Sequence, residues 1–180
     1  MLTYFIADYQ VNGFQNTTVE EAVSYLQQRK IIAIDIETAP KYPKGTYYSE
    51  VYEGGLDPYL STTIMLQIGT SEKLFVIDVR CIDILPFKEI IESKEILKVG
   101  QNLKFEAKHL HSHKIRLEHI WDTMLVDIIY NNGLNLKSGL NSLQERYLGI
   151  RKIDQNLFVA GQVGMNKDIR SEFLTIGNKP

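Results

Sequence analysis

The stretch Ile31-Ile-Ala-Ile-Asp-Ile-Glu37 decides the fold. Its even positions are all isoleucine, and its odd positions stay apolar until Asp35 and Glu37, which predicts a central strand covered on both faces. Two carboxylates at positions i and i+2 of a strand leave the same face roughly 6.5–7 Å apart. Ala33 on that face and the isoleucine-rich context predict burial, where unpaired carboxylates are costly. Carboxylates so placed can share a pair of hard divalent cations; the competing reading is a strand whose alternate face is simply solvated.

The neighbouring sequence supplies the rest of an α/β layout. Before the strand, Thr17-Thr18 followed by Glu20-Glu21 and the apolar stripe Val19, Ala22, Val23 and Leu26 predict a capped helix running to about Gln28. After it, Ala39 to Tyr59 breaks every period and reads as a long functional or mobile loop. Thr63–Ile68 and Lys73–Asp78 flank Gly69-Thr-Ser-Glu72, which is a hairpin signal. Pro86 suits the first position of a helix carrying Phe87, Ile90 and Ile91, and Glu95–Gly100 is a short strand stopped by glycine. Further helices are expected from a cap at Asn102 to about Ser112, from Trp121 to Tyr130 and from Ser138 to Leu148. The class is α/β, with a mixed sheet of about four or five strands.

Composition narrows the function. The 180 residues, 44% hydrophobic and 23% charged, suit one compact domain. Cys81 is the only cysteine, so disulfide frameworks and cysteine zinc sites are excluded, and a reducing compartment is expected. With no basic n-region at the start and no run near the ~20 apolar residues of a membrane span, the expected setting is cytoplasmic, without a membrane. Lys+Arg 20 against Asp+Glu 22 gives a net charge of -2, which excludes a strongly basic nucleic-acid wrapper but permits a local basic patch beside an acidic site. No glycine-rich loop ending in Lys-Ser/Thr supports ATP hydrolysis.

The second chemical clue is Val99-Gly-Gln-Asn-Leu-Lys-Phe-Glu106. Helical spacing puts Glu106 on or beside the core-facing side, an unusual place for an acid. The helix N-terminus would favour an anion there on structural grounds alone. Facing Asp35 and Glu37, the same carboxylate would complete most of a metal cage.

With these residues in view, the chain resembles the DEDD 3′-to-5′ exonucleases. Ile34-Asp-Ile-Glu-Thr38 is similar to their first motif and Asn102-Leu-Lys-Phe-Glu106 to their second. Trp121-Asp-Thr-Met-Leu125 and Leu143-Gln-Glu-Arg-Tyr-Leu-Gly149 are similar to the segments that follow in the proofreading domains of family A DNA polymerases and in ribonuclease D-like enzymes. The resemblance implies an RNase H-like fold and two divalent ions, Mg²⁺ or Mn²⁺, held by Asp35, Glu37, Glu106 and a further aspartate. It implies removal of 3′-terminal nucleotides from single-stranded DNA, with RNA trimming or a catalytically incomplete binding module as alternatives, and it raises a DNA polymerase module as a partner. It further implies that Thr38 helps seat the terminal nucleotide and that Asn102 and Phe105 orient or line the site; a helix cap and a core aromatic are equally good readings of the last two.

Two departures stand out. The second-motif acid is usually aspartate, and here it is Glu106. The fourth acid, expected on a helix bearing Tyr-x-x-x-Asp or His-x-x-x-Asp, has no match after Tyr147, so the domain is expected to stop short of its last catalytic helix. Asp122 is read as a helix cap or supporting partner instead. His109, His111, His113 and His119 read as an exposed helix end rather than a metal site. Lys98, Lys104, Lys108 and Lys114 either track phosphates or line a solvated face, and the tyrosines from Tyr42 to Tyr59 either stack bases or pack the loop.

Overall fold

The computed structural model describes residues 1–11, 13–41, 56–132 and 134–149. The chain divides into two compact units, Met1–Asn132 and Gly133–Pro180.

The first unit is built on a seven-stranded sheet. In chain order its strands are β1 (Leu2–Ile6), β2 (Gln15–Asn16), β3 (Ile31–Pro40), β4 (Ser61–Gly69), β5 (Lys73–Asp78), β6 (Leu97–Gly100) and β7 (Ile120–Asp122), and their spatial order is β2-β1-β5-β4-β3-β6-β7. β3, β4 and β5 form an antiparallel meander, while β6 joins β3 and β7 joins β6 in parallel. The helices are α1 (Val19–Gln27), α2 (Lys88–Ile91) after a 3-10 turn at Leu85–Phe87, α3 (Lys104–Ser112) and α4 (Thr123–Tyr130). This is the mixed, helix-flanked α/β sheet of the RNase H-like kind.

The sheet is wider than expected because β1, five residues long, was not read as a strand, and β2 and β7 are two and three residues long, too short for any alternation to show. The helix expected from Trp121 yields its first two residues to β7, whose pairing with β6 carries the chain to Asp122 before the helix begins.

Local chemistry accounts for the elements that match. Thr18 and Glu21 form a reciprocal capping box at the start of α1. At the hairpin, a Cβ on Gly69 would lie 2.3 Å from the Lys73 carbonyl oxygen, so only glycine lets the two strands close there.

β3 is central, but only one of its faces is covered. Ile32, Ile34 and Ile36 join a single core cluster with Ala22 and Leu26 of α1, Ile90 and Ile91 of α2 and Leu110 of α3. Each such side chain contributes roughly 1.5–3 kcal/mol of hydrophobic burial. The opposite face, bearing Ala33, Asp35 and Glu37, is exposed, which corrects the expectation of a doubly covered strand. The physical reason lies in the two acids: covering them without partners would cost more than an alanine and an isoleucine could return.

Lys98 on β6 corrects another expectation, being fully buried rather than solvated or on a phosphate track. Its ammonium donates to the carbonyls of Ser93 at 2.5 Å and Ile96 at 2.7 Å. Burial still pulls its pKa down to about 8.

In the second unit, the single helix expected over Ser138–Leu148 is α5 (Leu140–Leu143) continuing into a wider π turn at Gln144–Leu148. Gly149 ends it in the left-handed conformation, φ 64°. Of its large apolar side chains Leu143 is buried, while Leu140, Tyr147 and Leu148 are exposed. Among the described residues, no helix is long and apolar enough to cross a membrane.

Candidate active site

Asp35 and Glu37 occupy the open face of β3, and Glu106 of α3 lies within electrostatic reach of Asp35. Asp35 lies directly across from Gln67 of β4, whose side-chain amide donates to Asp35 Oδ2 at 3.3 Å. Just beyond Glu37 the β3–β4 register slips by one residue, so that Glu37 faces Met65 but Thr38 faces Thr63. This bulge turns the strand just past its second acid. The surrounding protein partly desolvates both acids and raises their pKa values, with Asp35 adding a like-charge contribution at Glu37.

Glu106 reaches the same neighbourhood from α3. A short chain of contacts brings it there, beginning at Gly100, where a Cβ would lie 2.3 Å from Leu103 Cδ2 and 2.9 Å from the Ile34 carbonyl oxygen. Only glycine allows this close approach of the turn to β3. Asn102 follows in the left-handed region at φ 60°, which asparagine tolerates better than most residues. The helix then starts at Lys104 and buries Glu106 to 3% exposure.

Asn102 is therefore not the side-chain cap that its position suggested. The cap comes from Asp122 at the end of β7, whose Oδ1 accepts the Asn102 N–H at 3.0 Å and whose Oδ2 accepts the Leu103 N–H at 2.8 Å. Asp122 Oδ1 also accepts the N–H groups of Met124 at 2.9 Å and Leu125 at 3.3 Å, capping α4. Thr123 adds a bond from its hydroxyl to the Gly100 carbonyl at 3.0 Å. One aspartate thus ties the starts of both helices together, as the sequence reading of a cap expected.

Glu106 is less fully provided for. Its Oε2 is buried without a hydrogen-bond partner. Desolvation pushes its pKa up to about 7, and the charges of Asp35 and Asp122 push the same way. A carboxylate held among like charges with an uncompensated oxygen is chemically suited to a cation. Among the described residues, however, no three acidic, histidine or cysteine side chains converge as a ready-made cage around one ion. The donors are hard oxygens, which fit Mg²⁺ or Mn²⁺ rather than a soft metal.

The remaining expected residues fall as follows. Thr38 sits just past the bulge on β3, half-buried. Phe105 is half-buried, packs against the core cluster and lies 4.5 Å, centroid to centroid, from His109. His109 is itself buried, one turn after Phe105, which corrects the reading of that residue as part of an exposed helix end. Burial holds its pKa below the usual histidine range. Gln67 was not anticipated, because its place opposite Asp35 is set by the β3–β4 pairing between residues 32 apart in sequence. Of the tyrosine-rich loop only its ends are described, and a fourth acid beyond Gly149, like residues 42–55, lies outside the described residues.

The sheet thus carries two acids on the open face of its central strand and a third on a helix packed beside it. The comparisons make this specific. A family model described as 3′-5′ exonuclease matches residues 11–167, and the chain belongs to that family, the DEDD exonucleases, whose members depend on divalent metal ions. No curated protein matches the sequence.

Solved structures share the fold at low identity. Brucella melitensis NrnC is 16% identical with TM-score 0.60, over 85% of this chain and 64% of its own. Trypanosoma brucei RNase D in complex with RNA U12 is 16% identical with TM-score 0.65, over 96% and 58%. Escherichia coli RNase D is 19% identical with TM-score 0.56, over 74% and 32%. The chain thus spans less than two thirds of the length of each of these proteins.

Proposed function

We propose that this protein is a metal-dependent 3′-to-5′ exonuclease that hydrolyses the 3′-terminal phosphodiester of a single-stranded nucleic acid. The observation that carries the reading is Glu106, a buried acid with an unpartnered oxygen, held in the electrostatic reach of Asp35. Asp35, Glu37 and Glu106 would hold two divalent ions, Mg²⁺ or Mn²⁺. When bound, such ions supply a reactive water at neutral pH and offset charge on the attacking and departing oxygens.

The protein's own residues do the placing. Asp122 fixes the start of α3 and hence the reach of Glu106, Gln67 steadies Asp35, and the bulge after Glu37 leaves Thr38 and its backbone beside the terminal sugar. Asn102 and Phe105 border that site from the start of α3. DNA is the preferred substrate on the resemblance of the four sequence segments to polymerase proofreading domains, with a polymerase module as a candidate partner and a cytoplasmic setting suited to the single cysteine. Trimming of RNA is the second reading; it draws on the structural neighbours RNase D in complex with RNA U12 and NrnC bound to pGG.

End-labelled single-stranded DNA and RNA oligomers, incubated with Mg²⁺ or Mn²⁺, separate these readings. Stepwise loss of the 3′ end that disappears with EDTA and in Asp35→Ala is expected, faster on DNA. Equal or faster decay of RNA moves the assignment to RNA trimming, and metal-independent binding without any cutting identifies an incomplete module. Cutting that survives Asp35→Ala refutes the site.

A further inference from the structure

The helix that carries Glu106 on its buried side presents a different chemistry on its other side. There, α3 forms one wall of an open groove of about 840 Å³, closed opposite by Lys41, which follows β3, and by the turn Asp57–Tyr59 that leads into β4. Lys41, Lys104, Lys108, His111 and Arg116 line it, and Asp57 is the only acid among its described lining residues. On a chain of net charge -2 this is a local reversal of sign.

Not all of these charges are equally available. Arg116 is paired with Glu118, and Lys41 donates to the Tyr59 carbonyl at 2.9 Å. Asp57 Oδ1 accepts the Tyr59 N–H at 2.8 Å, so part of its negative charge is spent inside its own turn. Lys104 and Lys108 have no acceptor among the described residues, and they stand one helical turn apart on the exposed side of α3. Between the cations the floor is apolar, formed by Ala107, Ile115 and Leu117, and the Tyr59 ring at the rim is 84% exposed.

Unpaired cations beside an apolar floor and an exposed aromatic ring match the needs of a single nucleic-acid strand, which offers phosphates on one side and base faces on the other. The position is also apt. Lys41 follows Glu37 by four residues of extended chain, about 13 Å, which places the groove further along a strand whose end lies at the carboxylates.

We propose that this groove holds the part of the strand upstream of the nucleotide being removed, with Lys104 and Lys108 on its phosphates and Tyr59 against a base. The inference rests on the nuclease reading for its direction, but its test does not need cutting. Binding of a fluorescent single-stranded 12-mer of thymidylate and of the corresponding dinucleotide is measured by anisotropy in EDTA across a salt series. The double variant Lys104→Gln/Lys108→Gln should bind the 12-mer about tenfold more weakly, with the slope of log affinity against log salt reduced by about 1.4 for two lost phosphate contacts. Tyr59→Ala should weaken the 12-mer with the slope intact. Lys94→Gln, an exposed lysine outside the groove, is the control.

An unchanged slope in the double variant overturns the proposal, as does an equal change in the control, or competition by poly-glutamate as effective as that by the 12-mer. If the protein cuts but the double variant binds as the parent does, the groove fails and the nuclease reading stands. If the slope falls but nothing is ever cut, the groove stands and the nuclease reading fails.

Discussion

Glu106 and Asp122 are both buried carboxylates at the start of α3, and their surroundings are opposite. Asp122 accepts four backbone N–H groups, from Asn102, Leu103, Met124 and Leu125. Glu106 keeps one oxygen without any partner and has its pKa pushed up to about 7. An acid whose acceptor capacity is filled by the backbone is part of the scaffold. One buried with capacity to spare is a candidate site, because its desolvation is compensated only when something else arrives.

The largest expected effect tests the site half of this contrast. Glu106→Gln should lower metal-dependent exonuclease turnover by about a thousandfold, equivalent to roughly 4 kcal/mol of transition-state stabilisation, while the thermal midpoint in EDTA at pH 8 stays level or rises. A variant that loses activity only because it unfolds would erase the distinction between the two acids.

The scaffold half predicts the reverse. Asp122→Ala strands four amide donors and should destabilise the fold by roughly 2–4 kcal/mol in denaturant titration. Asp122→Asn, which keeps one acceptor oxygen, should recover about half of that loss. Activity should follow stability in this series, returning in Asp122→Asn as the helix starts are secured again.

A third effect, of similar or smaller size, lies in the pH dependence. Glu106 in the fold holds its proton to about pH 7, whereas its ordinary value is 4.5. Between these values the folded state binds more protons than the unfolded one, so stability falls as pH rises. The contribution is complete below pH 4.5 and gone above about pH 7, a difference of about 3 kcal/mol without metal. Asp35 and Glu37 shift in the same direction, and buried His109 shifts the opposite way, losing stability as pH falls. Subtracting the Glu106→Gln curve in EDTA from the wild-type curve isolates the Glu106 part. A difference curve flat from pH 4.5 to 7 would show that Glu106 is not desolvated in solution. Lys98 supplies a check at the alkaline end: with its pKa near 8 in the fold, it should raise stability from pH 8 toward its ordinary value near 10.5.

The same contrast explains how much could be read from the sequence. Asp35, Glu37 and Glu106 stood out as candidates because a carboxylate in an apolar strand or on a core-facing helix position breaks a local pattern. The hairpin, the capping box at Thr18 and the glycine-ended β6 were legible because each is written in consecutive residues. What escaped depends on partners distant in sequence. Asp122 caps amides 19 and 20 residues away, so Asn102 looked like the cap; Gln67 meets Asp35 across a gap of 32 residues; and β2 and β7 exist only through their pairing with β1 and β6. The exposed face of β3 was misjudged because isoleucine alternation reports that one side is buried and says nothing of the other.

Gln67 gives the smallest expected effect and the finest probe of the comparison. Its amide reaches Asp35 at 3.3 Å, a long hydrogen bond on the exposed face. Asp35 therefore stands between the two extremes, less provided for than Asp122 and less bare than Glu106. Loss of such a bond is worth roughly 0.5–1.5 kcal/mol, so Gln67→Ala should leave the thermal midpoint within a degree or two and raise the Mg²⁺ concentration for half-maximal activity by about threefold to tenfold. Gln67→Glu should do more, because it sets another carboxylate across from Asp35; in EDTA it should raise the Asp35 pKa and sharpen the fall in stability above pH 5, and added Mg²⁺ should reverse that fall. If Gln67→Glu neither changes the metal requirement nor makes stability more responsive to Mg²⁺, the open face of β3 is not where the cation binds, and Glu106 must find its partner elsewhere.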